Sequence, residues 1–107
     1  MNTTQNAIEA TNKEDLLAKI VPVLTDYPVS KAALFGSYAR EEQGTASDID
    51  ILLEFSEPIG LRYGSLYLDL KEVIPVSIGL MTKAGLEEQS EYFKNSVMRD
   101  LEVFYEK

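Results

Sequence analysis

Cysteine and histidine are both absent from this sequence of 107 residues. Without cysteine, the chain has no disulfide bonds, thiolate nucleophiles or cysteine-based zinc sites. Without histidine, it cannot build a Ser-His-Asp triad, a histidine-ligated metal centre or a histidine acid-base catalyst. Any catalysis must therefore use carboxylates, hydroxyl groups, lysine, arginine and a hard metal ion such as Mg²⁺, which prefers oxygen ligands.

Long apolar runs are also absent, since no stretch approaches the roughly 18 residues that a membrane span requires. The first residues, MNTTQNAIEATNKED, lack the charged-then-apolar layout of a signal peptide. We therefore expect a cytoplasmic protein that makes no contact with a membrane.

Basic residues are scarce, with 10 Lys and Arg against 18 Asp and Glu and a net charge of −8. A field of this sign repels phosphate backbones, so the sequence disfavours direct binding to nucleic acid. A nucleotide remains compatible with the charge, because a bound divalent metal ion inverts the field locally.

The length predicts one domain over residues 1–107, with a flexible tail at 1–10. Thr11 and Glu14 fit a capping box that starts a helix over 12–26, which Pro22 bends or shortens. Further periodicity predicts strands at 31–35, 48–54 and 76–81, helices at 38–42, 61–73 and 86–98, a loop at 42–47 and a short strand at 103–105. This order is typical of a single small α/β domain, with a short mixed sheet flanked by helices.

Two acids on the second predicted strand are the first candidates for chemistry. Alternate side chains of a strand share a face at about 3.3 Å rise per residue, which places Asp48 and Asp50 together with Cα atoms roughly 7 Å apart. Such a pair can flank metal ions in a phosphoryl-transfer site. Taken alone, the pattern is also typical of a solvated strand with two surface acids.

A Gly-Ser turn precedes this pair and strengthens the first interpretation. Gly36 and Ser37 end the first predicted strand and can present backbone N–H groups and a hydroxyl to an anion. Arg40 follows one helical turn later and either reaches the same phosphates or is an ordinary surface arginine. A phosphate cradle beside paired acids is the combination that a metal-triphosphate complex requires.

The segment 32–54 resembles the G-S-x(10)-D-x-D signature of the DNA polymerase β-like nucleotidyltransferases, and more narrowly the minimal nucleotidyltransferase (MNT) group. The residues that match are Phe35, Gly36, Ser37, Ala39, Arg40, Ser47, Asp48, Ile49 and Asp50. The resemblance implies that Asp48 and Asp50 are catalytic and hold Mg²⁺ against the triphosphate of ATP. It also implies that Gly36 and Ser37 bind the phosphates while a hydroxyl receives AMP and pyrophosphate leaves.

MNT proteins commonly act as antitoxins beside a HEPN-domain ribonuclease toxin. The antitoxin adenylylates a tyrosine of the toxin. The resemblance therefore implies a hetero-oligomer with a HEPN-type toxin. Because the ribonuclease motif of those toxins uses arginine and histidine, a chain without histidine is not the toxin of such a pair.

The resemblance further implies a third carboxylate on the next strand, in a pattern such as V-D-L. The corresponding segment reads V-S-I-G-L, and its best-matching position is Ser77, which is neutral. Glu54, Asp69 and Glu72 are the available substitutes, but Glu54 would lie roughly 13 Å along the strand from Asp48. All three are therefore predicted to be structural or surface acids.

Two interpretations follow from the missing acid. The chain is an AMP transferase that tolerates Ser77, since metal binding and positioning supply most of phosphoryl-transfer catalysis. Alternatively, it is a degenerate MNT domain that neutralises its partner by binding and occlusion. A third, purely structural interpretation is disfavoured because the set Gly36, Ser37, Asp48 and Asp50 is intact.

Overall fold

A four-stranded sheet with helices on both faces forms the centre of the computed structural model, which describes residues 13–40 and 48–107. The elements in chain order are α1 Lys13–Leu24, β1 Val29–Phe35, β2 Ile49–Phe55, α2 Arg62–Val73, β3 Ile78–Thr82, α3 Lys83–Glu87, α4 Glu91–Asp100 and β4 Glu102–Glu106. The predicted α/β class and the predicted short mixed sheet flanked by helices are confirmed. Within these ranges no helix is long and apolar enough to span a bilayer.

The strand order is β3-β2-β1-β4, and the sheet is mixed. Strand β1 pairs antiparallel with both β2 and β4. Strands β2 and β3 are parallel, and the chain between them includes α2 as the crossover helix that such a pair needs. The register of the parallel pair places Asp50 opposite Gly79.

The alternation predicted for β2 separates the two faces of the sheet. Ile49, Ile51 and Leu53 are fully buried in a cluster with apolar side chains from α1 and α2. Leu52 belongs to the smaller cluster on the other side, with Leu86 of α3 and Val97 of α4. We call the first side the core face and the second side the acid face, because Asp50 alternates onto the second.

Helix α1 is shorter than the predicted 12–26 and ends at Leu24. Pro22 lies in its last turn, where it removes a hydrogen-bond donor without dividing the helix. The hydroxyl of Thr25 donates to the carbonyl of Pro22 at 2.7 Å, which closes the helix end. The proposed cap residue Thr11 and the tail at 1–10 lie outside the described residues.

The prediction of one helix over 86–98 is wrong, because this segment contains the end of α3 and most of α4. Two hydroxyl caps mark the starts of these helices, and the cap at Ser90 lies inside the predicted segment. Thr82 accepts a hydrogen bond from the N–H of Gly85 at 3.0 Å, and Ser90 accepts one from the N–H of Phe93 at 3.2 Å. Each cap satisfies a backbone donor at a helix start, so two separate helices replace the continuous one.

The remaining boundaries are close to the predictions. The final strand is present as β4, and β3 begins two residues later than predicted. Where a helix was predicted at 38–42, residues 36–40 form a turn in which the N–H of Arg40 donates to the carbonyl of Gly36 at 3.2 Å. Residues 41–47, including the predicted loop and Ser47, lie outside the described ranges.

Candidate nucleotide and metal site

The Gly-Ser turn begins where β1 ends at Phe35. Gly36 has a φ of +77°, in the left-handed region that favours glycine, and this conformation redirects the chain away from the strand. Ser37 is half-buried in the same turn. The sequence thus produces a tight turn at the end of the inner strand β1, where the anion cradle was predicted.

The acid pair lies at the start of β2, beside this turn. Asp48 is exposed and immediately precedes the strand, whereas Asp50 is half-buried within it and pairs with Phe35 of β1. A Cβ atom built on Gly36 would lie only 2.5 Å from Oδ2 of Asp50. The structure therefore brings Gly36 and Asp50, which are 14 positions apart in the sequence, into direct contact.

The local electrostatics of the pair favour a bound cation. Burial raises the pKa of the Asp50 carboxyl above its ordinary value, and the negative charge of Asp48 raises it further. Both effects oppose ionisation of Asp50, and a cation between the carboxylates would offset both.

The donor set also limits what kind of metal site is possible. Among the described residues, no group of three or more acidic side chains converges to hold a metal ion. Mg²⁺ in proteins is commonly held by one or two carboxylates, with water and substrate phosphates completing its octahedral shell. Asp48 and Asp50 therefore fit a Mg²⁺ ion shared with a nucleotide rather than one enclosed by protein ligands alone.

The third-acid position predicted at Ser77 requires a correction. Ser77 is exposed and precedes β3, and its carbonyl accepts a hydrogen bond from the N–H of Ile49 at 2.9 Å. The residue opposite Asp50 in the parallel register is Gly79, where a Cβ atom would lie 2.5 Å from Oδ1 of Asp50. Gly79, and not Ser77, is therefore the β3 residue that lies beside the Asp50 carboxylate.

Arg40, for which phosphate contact and an ordinary surface position were both left open, is exposed and forms an ion pair. Its guanidinium Nη1 lies 2.8 Å from Oδ2 of Asp100, at the end of α4. This ion pair links the Gly-Ser turn to the helix on the acid face. Asp100 engages the Nη1 atom of Arg40, and the contact of this arginine with phosphates stays a prediction.

The acids weighed as substitutes lie elsewhere. Glu54 is 4.0 Å from the ammonium groups of both Lys31 and Lys83, at the far end of β2. Asp69 accepts a hydrogen bond from the hydroxyl of Tyr27. Glu72 is exposed on α2. Gly79 and Asp100, which the sequence interpretation did not select, are the residues that contact the predicted site.

A turn that ends one strand against paired acids on the next, on a mixed α/β sheet, is the kind of site that nucleotidyl transfer requires. The comparison with known families agrees. The chain belongs to the nucleotidyltransferase domain family, whose sequence profile matches residues 17–103.

Individual relatives support the same family and fold. MJ1217 of Methanocaldococcus jannaschii, which has the provisional name protein adenylyltransferase, is 39% identical over 90 residues that cover 82% of this chain and 90% of that protein. A structure provisionally described as a minimal nucleotidyltransferase aligns with a TM-score of 0.68 and 25% identity, covering 89% of this chain and 96% of its own.

A third similarity concerns the fold alone. A chain from the complex of tri-AMPylated Shewanella oneidensis HEPN toxin with MNT antitoxin aligns with a TM-score of 0.62 and 18% identity. The alignment covers 89% of this chain and 73% of that chain.

Proposed function

We propose that this chain is an MNT-type antitoxin that binds Mg-ATP and transfers AMP to a tyrosine hydroxyl of a partner HEPN ribonuclease toxin. The observation that carries this proposal is the Asp50 carboxylate held against the Gly36 turn, with Asp48 beside it. The provisional name of the relative MJ1217 supports adenylyl transfer, and the AMPylated toxin in the Shewanella complex supports the partner class.

The chemistry assigned to the site follows from charge and position. Gly36 and Ser37 would bind the phosphates through backbone N–H groups and the serine hydroxyl. Asp48 and Asp50 would hold Mg²⁺, and the bound ion would supply positive charge to balance the phosphates. The tyrosine oxygen forms the new bond to the α-phosphorus, the bond from that phosphorus to the pyrophosphate oxygen breaks, and the hydroxyl proton leaves to solvent water. Positioning and neutralisation dominate such transfers, so two acids can suffice.

The proposal also includes a protein partner and a cytoplasmic location. The net charge of −8 supports a protein partner over direct contact with nucleic acid, and we keep the cytoplasmic location expected from the sequence. The described residues also expose several large apolar side chains, which are suited to a protein interface. These are Leu61, Leu68, Tyr92, Met98 and Val103.

A second candidate function is supported by the composition of strand β3. Strand β3 contains no acid, and Gly79 occupies the position beside Asp50. A domain with this site can retain Mg-ATP or partner binding with little turnover and neutralise its toxin by occlusion. The two functions differ in whether AMP becomes covalently attached to the partner.

The deciding experiment incubates the chain with α-labelled ATP, Mg²⁺ and the product of a neighbouring HEPN gene. The first proposal expects label on a toxin tyrosine, located by mass spectrometry, and loss of label with the Asp48→Asn and Asp50→Asn double variant. A control that removes the same charge from exposed acids, Glu57→Gln with Glu88→Gln, should retain transfer. Unlabelled but neutralised toxin would instead establish the occlusion function, and an unneutralised toxin would contradict both.

A further inference from the structure

We propose that a cavity on the acid face docks the protein that carries the target tyrosine, by receiving an apolar side chain of that protein with a carboxylate close beside it. The inference rests on the proposed function, because it concerns how that partner is recognised. We call the cavity, which encloses about 320 Å³, the acceptor pocket. Its apolar wall includes Leu52, Leu86 and Met98, and its basic rim consists of Lys31, Lys83 and Lys94.

The acceptor pocket lies on the side of the acid pair from which an acceptor must approach. The Gly-Ser turn follows the end of β1, and β1 runs antiparallel to β2, so the turn lies beside the start of β2. Leu52 follows Asp50 by two residues on the same face of the sheet, about 7 Å further along β2. The attacking and leaving oxygens of a phosphoryl transfer are roughly in line. With pyrophosphate held at the turn, the tyrosine hydroxyl would therefore enter from the side of the acceptor pocket.

The apolar wall of the pocket suits a protein partner. Leu52 of β2 and Leu86 of α3 are buried at this wall. Met98 of α4 also lines the cavity, although its side chain is 57% exposed. The apolar surface thus continues from the cavity onto the outside of α4. A small ligand inside the cavity would leave that outer surface in water, whereas a docked protein would cover it.

The rim of the pocket has a charge opposite to that of the whole chain. Three of the 10 basic residues line the pocket together with Glu54 and Glu87, which gives its lining a net charge of +1 in a chain of net charge −8. The ammonium of Lys83 lies 4.0 Å from the Glu54 carboxylate, beyond hydrogen-bond distance, and its side chain is 59% exposed. Lys83 can therefore donate to a carboxylate that the partner brings, and complementary charges of this kind select the partner.

The first test identifies the occupant of the pocket. Because the chain has no cysteine, Met98→Cys provides a single attachment site for a benzophenone maleimide. The labelled variant is irradiated with the neighbouring HEPN gene product, Mg²⁺ and a non-hydrolysable ATP analogue, and mass spectrometry locates the cross-link. We expect an apolar toxin residue that neighbours Asp or Glu in the toxin sequence. The matched control is Lys19→Cys, at an exposed position of α1 on the core face, which should not capture this segment.

The second test measures the basic rim by the kinetics of AMP transfer. We expect Lys83→Glu to raise the KM for the toxin about 10-fold or more, with kcat and Mg-ATP affinity unchanged, and the effect should shrink at high salt. Lys83→Arg should retain the natural KM, and so should Lys19→Glu, which changes the net charge equally far from the pocket. Lys83 is the first residue of α3, where an acid is favourable, so the fold should persist, and circular dichroism checks it.

The outcomes separate the acceptor pocket from the proposed function. The pocket is overturned by an unchanged KM in Lys83→Glu, or by cross-links from Met98→Cys that are absent, that reach a second copy of this chain, or that reach a toxin segment without acids. A toxin that is bound but never labelled contradicts the proposed transfer alone. In that case the affinity of the complex, measured by calorimetry, replaces KM and still tests the pocket. A toxin that is neither labelled nor bound contradicts both.

Discussion

The core face and the acid face of the sheet are built from the same strand, yet they differ in what they contain. On β2, Ile49, Ile51 and Leu53 are fully buried on the core face, whereas Asp50 on the acid face is half-buried with a raised pKa. Apolar burial is the main source of folding free energy, and a partly desolvated charge opposes it. The buried apolar residues and the candidate site thus lie on opposite sides of one strand.

Coverage of the two faces differs as well. The core face is closed by α1 and α2, which contribute Leu16, Ile20, Leu24, Leu66 and Leu70 to one continuous cluster. The acid face has a small cluster beneath α3 and α4 and a cavity of about 320 Å³ beside it. This difference leads us to expect that substitutions on the two faces will have separable effects on folding and on activity.

The largest expected effect is that of Asp50→Asn. Loss of the charge should abolish Mg-dependent ATP binding measured by calorimetry, while the melting temperature rises, because the variant no longer holds a desolvated carboxylate near Asp48. A lower melting temperature in Asp50→Asn would show that the acid stabilises the fold. This result would contradict the difference in stability contribution between the two faces.

The stability gain in Asp50→Asn should depend on pH. The ordinary pKa of aspartate is 3.8, and the folded-state pKa of Asp50 is raised above it. Below 3.8 the carboxyl is largely protonated in both states, so the variant and the natural chain should be similar. As pH rises from 3.8 through the folded-state pKa, the natural chain loses stability relative to the variant, and the gap then stays constant. Urea titrations at a series of pH values measure this gap.

On the core face, Ile51→Ala should lower the stability of the fold and leave Mg-ATP affinity nearly unchanged. The side chain is fully buried between the sheet and the two helices, so its truncation should cost about 2–5 kcal/mol of unfolding free energy. Mg-ATP affinity of the fraction that remains folded should change little, because the residue points away from Asp50. A large affinity loss in folded protein, checked by circular dichroism, would show that the faces are energetically coupled.

Tyr38 brings a hydroxyl group into the cluster on the core face. Its side chain is fully buried in the large cluster, burial raises its pKa, and its hydroxyl has no hydrogen-bond partner among the described residues. A buried hydroxyl without a partner is costly, so Tyr38→Phe should raise the unfolding free energy by about 1 kcal/mol. Chemical denaturation measures the change, and a destabilised Phe variant would reveal a partner for the hydroxyl.

Much of the site could be predicted from the sequence because its signals are local. Strand alternation placed Asp50 opposite to Ile49 and Ile51, and the Gly-Ser turn is encoded by adjacent residues. The register of β3 could not be predicted in the same way, because Ser77 and Gly79 differ by two positions and two is the repeat of a strand. Only the pairing of β3 with β2, which depends on the whole crossover, places Gly79 beside Asp50.

The division of the predicted final helix has a similar cause. The apolar spacing fits one helix, and the hydroxyl cap at Ser90 starts a new helix inside it. The ion pair between Arg40 and Asp100 joins residues 60 positions apart, for which no short-range pattern exists. Long-range contacts of this kind need the tertiary structure.

That ion pair gives the smallest expected effect and sharpens the description of the acid face. Arg40 and Asp100 lie 2.8 Å apart, with 42% of the arginine side chain and 13% of the aspartate side chain exposed. Pairs that are partly exposed in this way are screened by solvent, so a double-mutant cycle with Arg40→Gln and Asp100→Asn should give a coupling of about 0.2–1 kcal/mol in unfolding free energy. The same variants also test how Arg40 contributes to nucleotide binding.

If Arg40 contributes by anchoring the turn, both single variants and the double variant should weaken Mg-ATP binding to a similar extent. If Arg40 instead leaves Asp100 to contact phosphate, Arg40→Gln should weaken binding while Asp100→Asn strengthens it, since the guanidinium is then released from its competitor.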